Sequence, residues 1–256
     1  MEWAPLCNYT HYSLLKGYSK PQQLAEKCKA NGYKACGIAD YKSISGAVSF
    51  FMACKSNGIK PVIGCTFDTF TLFAKNKDGW LDLIKIVSSL DEEGNYDKKF
   101  LLKVTSKGNL ISVADKAGYS PIKGEDFYKR TPALMETYYT NKEDAPLHRI
   151  LLCSKMKTTV PKVNKLLSKH EDFDNREFFE QNTFYLPDST EVCEILTEDL
   201  DMNVKQIVDK CEEYDILSSP MLPEFPTPTG ESEEDYLKQL CREGWRDLLI
   251  KTGKVV

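Results

Sequence analysis

Apolar positions in the first third of the chain alternate between short unbroken runs and helical stripes. Ala35-Cys36-Gly37-Ile38-Ala39 and Pro61-Val62-Ile63-Gly64-Cys65 are apolar runs bounded by turn residues, the pattern of buried strands. Before the first run, Leu24, Ala25 and Cys28 share one helical face. Ser19-Lys20-Pro21-Gln22 has the form of a capping box for that helix, and Asn31-Gly32 closes it. Between the runs, a second helix is predicted from about Gly46 to Ser56, burying Ala47, Val48, Phe51 and Met52 and stopped by Asn57-Gly58. A third helix carries Trp80, Leu83, Ile84 and Val87 at i, i+3, i+4 and i+7. Strands joined by crossover helices pair in parallel. The pattern therefore predicts an α/β fold whose first strand delivers Asp40 at its C-terminal end, where an α/β barrel gathers functional residues.

Composition narrows the class without naming a function. At 256 residues, 41% hydrophobic and 28% charged, the chain is long enough for one large core. No run approaches the ~20 apolar residues of a membrane span. Met1-Glu2 does not open a signal peptide, so a cytoplasmic protein without membrane contact is expected. The nine cysteines include no Cys-x-x-Cys and no zinc spacing with histidine, and Cys28, Cys54, Cys153 and Cys211 fall on apolar faces. Reduced core thiols are the expectation. A net charge of −4 argues against tight DNA binding. Lysines cluster at Lys98–Lys107 and again from Lys155 through Lys169, and read as solvated faces.

The run Leu6-Cys7-Asn8-Tyr9-Thr10-His11-Tyr12-Ser13-Leu14-Leu15-Lys16-Gly17 resembles the opening of a PHP (polymerase and histidinol phosphatase) domain. Its likeness is to the PHP domain that begins bacterial DNA polymerase III α subunits. The family carries His-x-His in that strand; here Cys7 and Tyr9 stand in those places. Its Thr-Asp-His-Gly becomes Ala39-Asp40-Tyr41-Lys42, and its Ile-Gly-Cys-Glu becomes Ile63-Gly64-Cys65-Thr66. Thr69 replaces a histidine that often precedes the following strand, and Tyr138 replaces the histidine of Ala-Thr-Asn-Asp-Val-His-Tyr. The resemblance implies a distorted (β/α)7 PHP barrel whose metal site is degenerate at Cys7, Tyr9, Asp40, Tyr41, Thr66, Thr69 and Tyr138. Active members use two or three metals to generate hydroxide and neutralise phosphate. A phenol, with its pKa near 10, is a poor substitute for imidazole. No metal or other cofactor is therefore expected. Tyr9, Tyr41 and Tyr138 are expected to fill the vacated cleft, with hydroxyls on Asp40 or backbone.

Further on, Met221-Leu222-Pro223-Glu224-Phe225-Pro226-Thr227-Pro228 resembles the family's linker between PHP and polymerase portions. A helix over Glu231–Leu249 is expected to follow. The division implied is a PHP-like barrel over 1–217 and a Pro-rich linker with the first helix of the next region over 218–256. Leu222 and Phe225 are expected to dock the linker on the barrel. Three functions follow from the resemblance. The first is a non-catalytic PHP domain, a pseudoenzyme with a structural or docking role in DNA replication. Its partners would be the polymerase portion of an α subunit, in cis or as a separate chain, and a proofreading exonuclease or other replisome protein, with DNA bound weakly if at all. The second is an active phosphoesterase or 3′–5′ proofreading exonuclease, which would bind metal through Asp40, Cys7 and further ligands such as Asp115, Glu125 or Asp126. The third is a free-standing, phage-encoded mimic of the α-subunit N-terminus that captures a replication partner.

Overall fold

The computed structural model describes residues 3–114, 119–168, 178–179, 181–196, 198–219, 225–228 and 230–253. Asp115, His170 and Leu222 lie outside the described residues. The chain separates into two compact units, Met1–Leu217 and Ser218–Val256.

The larger unit is α/β, as the sequence pattern predicts. Its strands are β1 (Cys7–Asn8), β2 (Ala35–Tyr41), β3 (Lys60–Thr66), β4 (Phe70–Ala74), β5 (Leu110–Ala114), β6 (Phe127–Lys129) and β7 (Glu136–Thr137). Helices α1 (Pro21–Ala30) and α2 (Ala47–Asn57) flank β2, and α3 (Lys77–Ser88) and α4 (Lys98–Thr105) separate β4 from β5. Helices α5 (Ala145–Lys155), α6 (Val160–Ser168), α7 (Ser189–Ile195) and α8 (Glu198–Lys210) follow β7.

Strands β2 to β6 form one sheet in sequence order, and β1 pairs with β7 in a separate parallel ladder. The β2–β3 pair is parallel, as the α2 crossover requires, with Asp40 opposite Cys65 and Tyr41 opposite Thr66. The β3–β4 and β4–β5 pairs are antiparallel, which the all-parallel expectation did not include. The reason is in the connections. Only Phe67, Asp68 and Thr69 join β3 to β4, which permits a hairpin and no crossover. Two helices lie between β4 and β5, so the chain reverses an extra time. The backbone ahead of β1 lies against β2 at Gly37, whose N–H reaches the Pro5 carbonyl at 2.7 Å. A Cβ on Gly37 would come within 2.3 Å of the Leu6 carbonyl oxygen, so only glycine allows this approach. No described ladder joins β6 to β7.

Two local expectations are corrected. Helix α1 is capped at Lys20 without a side-chain bond, and the Ser19 hydroxyl is buried without a partner. Residue 19 instead forms a backbone bridge with Thr10, and Lys20 takes the cap position. In α2 the buried face is Ala47, Phe50, Phe51, Ala53 and Cys54, whereas Val48 and Met52 face solvent. The helix is rotated so that Phe50, the larger side chain, enters the core. Cys28, Cys54, Cys153 and Cys211 are buried and unpaired, as expected of core thiols.

The smaller unit contains α9 (Glu233–Lys251), close to the helix expected from Glu231 to Leu249. Ser232 caps it, accepting from the Asp235 N–H at 3.2 Å. Phe225 is 58% exposed and stacks on Tyr236, ring centroids 5.9 Å apart.

Candidate functional site

The C-terminal ends of β1, β2, β3 and β6 and the residues of β7 come together at one side of the larger unit. There they border a cleft of about 480 Å³ lined by Tyr9, Lys16, Tyr41, Thr66, Asp68, Thr69, Arg130, Glu136 and Tyr138, among others. The location agrees with the expectation for an α/β fold. The contents differ from the expectation in several respects.

Two of the three tyrosines meet. Tyr9 and Tyr138 stack with centroids 4.6 Å apart and planes 9° from parallel. Their hydroxyls do not go to Asp40. Both donate to Glu136, Tyr9 to Oε1 at 3.2 Å and Tyr138 to Oε2 at 2.9 Å. Arg130, the residue after β6, brings its guanidinium to 3.0 Å from the same carboxylate. That guanidinium also donates to the Thr71 hydroxyl at 3.2 Å and lies 4.0 Å from the Cys7 thiol. One side chain thus touches β1, β4 and β7 from the end of β6, across the edge where no ladder forms. Burial pushes the Cys7 thiol up to about 11, with Arg130 pulling only partly the other way. Burial, and the nearby Glu136 carboxylate after it, hold the Tyr9 and Tyr138 phenols well above their ordinary value. These groups stay protonated donors.

Tyr41 stands apart from that stack. The Lys16 ammonium sits 3.3 Å above its ring centroid, and its hydroxyl donates to Asp68. Lys42 pairs with the same carboxylate at 3.0 Å. Thr66 is buried and shares a hydroxyl contact of 3.0 Å with Thr71, while Thr69 is exposed and donates to the Tyr119 carbonyl. The cleft is lined by the tyrosines but not filled by them.

Asp40 is buried at the end of β2 and is not among the lining residues. One of its oxygens accepts from the Thr10 N–H and the Ser13 hydroxyl, each at 2.6 Å, and the other from the Thr10 hydroxyl at 2.7 Å. Ser13 in turn accepts from the Tyr41 N–H at 2.9 Å. Burial raises the Asp40 carboxyl above its ordinary range even though these bonds favour the anion. Asp40 therefore fixes the loop after β1 to the end of β2. The same loop is held from the other side by His148 on α5, whose Nε2 lies 2.7 Å from the Lys16 carbonyl. His148 packs among Tyr138, Tyr139 and Phe179, and burial pushes its pKa below the ordinary value. The neutral ring with Nε2–H donating fits both facts.

Among the described residues, no group of three or more His, Cys, Asp or Glu side chains is placed to hold a metal ion. Glu125 and Asp126, considered as replacement ligands, lie at the start of β6, the opposite end from Arg130. Asp126 is paired there with Lys75 at 2.9 Å and Lys210 at 3.2 Å. The donor set at the cleft does not fit the metal cluster that the PHP resemblance would bring. Its thiol and phenols are protonated, its carboxylates are engaged by cations of the chain, and Asp40 faces hydroxyls.

Arg130 and Glu136 were not singled out from the sequence as a pair. They lie six residues apart around Pro132, one just after β6 and the other on β7, strands too short to show a period. Only the geometry joins them.

Residues 6–118 match the PHP domain family, so the PHP resemblance read from the sequence holds for that stretch. Over 96% of its length the chain is 26% identical to the DNA polymerase III subunit α of Bacillus subtilis, covering 26% of that protein. The corresponding subunit of Borreliella burgdorferi is 25% identical over 92% of this chain, and that of Aquifex aeolicus 24% identical over 93%. The chain spans about a quarter of the length of these relatives. A solved structure of a candidate metal-dependent phosphoesterase from Bifidobacterium adolescentis, 13% identical, aligns with 80% of this chain and 74% of its own at a TM-score of 0.32, which is too low to carry an argument.

Proposed function

We propose that this chain is a catalytically silent PHP domain of a DNA polymerase III α-like protein, serving replication as a structural and docking module. One observation carries the reading: the guanidinium of Arg130 and the phenols of Tyr9 and Tyr138 all converge on Glu136. In an active metal-dependent hydrolase the carboxylates of such a cleft face metals that supply hydroxide. Here Glu136 faces a fixed cation of the chain, and a guanidinium generates no nucleophile. Cys7, Tyr9, Asp40, Tyr41, Thr66, Thr69 and Tyr138 are, on this reading, ligand positions converted to structural use.

Three finer points belong to the same proposal. The two ladders are parts of one distorted seven-stranded barrel, with Arg130 bridging the β6–β7 edge. The polymerase portion of an α subunit, in cis or as a separate chain, is the main partner, with a proofreading exonuclease as a further one, in the cytoplasm. Leu222 and Phe225 belong, on this reading, to the connector towards that portion.

The test is hydrolysis. Purified protein is incubated with a phosphodiester and with primed single-stranded DNA, with manganese or zinc added. No product above a protein-free blank is expected. Turnover that disappears with a chelator and with Glu136→Ala would reject the silent reading in favour of a phosphoesterase or exonuclease.

A further inference from the structure

Helix α9 gathers apolar side chains on one stripe and buries none of its residues. Leu237, Cys241, Gly244 and Leu248 follow one another at spacings of four, three and four, the period of a helix-pairing seam. Leu240 and Trp245 flank that seam, while Asp235, Arg242 and Arg246 fall on the opposite face. Leu237, Leu240, Trp245 and Leu248 are between 45% and 62% exposed. A helix in water draws most of its stability from packing such a stripe, not from propensity, so the stripe calls for cover.

The order of residues along the stripe points to what covers it. Bulky and small positions are mirrored about the midpoint between Arg242 and Glu243. Laid antiparallel on a second copy at that register, Leu237 meets Leu248, Leu240 meets Trp245 and Cys241 meets Gly244, and each pair occurs twice. The central layer is the smallest, which lets the two axes approach, and the Leu240–Trp245 pairs close over its sides. One layer further out, Glu234 meets Lys251. The charges agree with this direction. Glu233, Glu234 and Asp235 stand in the first turn of α9 and Lys251 in the last. Parallel copies would set acids on acids, whereas antiparallel copies set them on bases. Glu234 is already bonded to Lys238 of its own helix at 2.7 Å, and the second copy would add a cation to that pair.

We propose that α9 is a homodimerisation helix, its stripe covered by the same stripe of a second copy lying antiparallel about a two-fold axis. A two-fold interface demands a surface complementary to itself, and the mirrored sizes and opposite end charges meet that demand. The helix belongs to the smaller unit, so the pairing uses none of the cleft and stands whether or not the cleft is silent. One helix pair makes a small interface, so the dimer should be reversible and come apart on dilution.

Sedimentation velocity of the full chain between about 1 and 100 μM tests this, a range that brackets weak association. A monomer–dimer equilibrium is expected. Leu237→Glu and Trp245→Glu should each weaken it by about tenfold or more, because each sets two charges into the seam. Circular dichroism checks that the helix persists, and charge variants keep the test sharp if a glutamate in the seam unwinds it. Glu234→Lys and Lys251→Glu should each weaken dimerisation by about threefold, and the two changes together should restore it. A monomer at every concentration, or a dimer that the seam variants leave intact, would overturn the proposal. So would a double charge variant that dimerises no better than either single one, since the antiparallel register alone brings those two positions together.

Discussion

Asp40 and Glu136 are two carboxylates on different sheets of the larger unit, and the chain handles them in opposite ways. Asp40 is buried and meets only neutral donors, two hydroxyls and a backbone N–H from one loop. Its bonds satisfy the oxygens without cancelling the charge, so burial still raises its pKa. Glu136 is less buried and meets a guanidinium and two phenols that arrive from separate strands. The first arrangement ties a local loop to its neighbour. The second ties β1, β6 and β7 together and places a cation in the cleft. In both, donors of the chain itself occupy the oxygens that a metal would need.

The largest expected effect comes from breaking the Asp40 cage. Asp40→Ala leaves three buried donors without an acceptor and should lower stability by about 3 kcal/mol or more in urea unfolding. Asp40→Asn keeps one acceptor and should cost less. Equal effects of the two would mean that the charge itself, and not acceptor capacity, is what the loop requires.

Removing the cation should cost somewhat less. Arg130→Met leaves Glu136 with only its phenols and should lower stability by about 2 kcal/mol, because the pair is partly buried and its carboxylate loses its charged donor. Glu136→Gln together with Arg130→Met should cost less than the sum of the single changes, as for any contacting pair. Strict additivity would show that Arg130 acts through Thr71 or Cys7 instead.

Both carboxylates depend on the loop after β1, and His148 gives that loop a pH dependence. Burial holds the folded-state pKa of His148 below its ordinary 6.5, so the unfolded chain takes up the proton more readily. The associated stability is full above 6.5 and is lost as pH falls below it. His148→Gln should flatten this part of the stability profile while Lys16 keeps a donor. An unchanged slope in the variant would assign the loss to other groups. The smallest effect is expected at Tyr41→Phe, within about 0.5 kcal/mol, since Asp68 keeps Lys42 and the site is half open to water.

The sequence made the frame legible and the wiring of the site less so. Leu24, Ala25 and Cys28 on α1, the β2–β3 pair and the α3 stripe could be read because periodicity and burial agree over enough residues to count. The mixed sheet followed from a three-residue connection that the hydrophobic pattern does not flag. Tyr9 and Tyr138 could be placed together because the resemblance fixes both at one end of the strands, and the structure does stack them. Asp40 or backbone is the expected acceptor of their hydroxyls, whereas Glu136 accepts from both. Hydrogen-bond partners depend on side-chain direction across the sheet, and β7 is only two residues long. The resemblance groups Tyr41 with them, yet Lys16 takes its ring face and Asp68 its hydroxyl.

The central claim is that cations and hydroxyls of the chain, and not bound metals, satisfy the carboxylates at this cleft. Elemental analysis of protein produced with manganese, zinc and iron in excess, then passed through gel filtration, tests it most directly. The account expects no stoichiometric metal in the native chain and none gained by titration with manganese. Two or more tightly held metals per chain, lost together on Glu136→Ala, would contradict it.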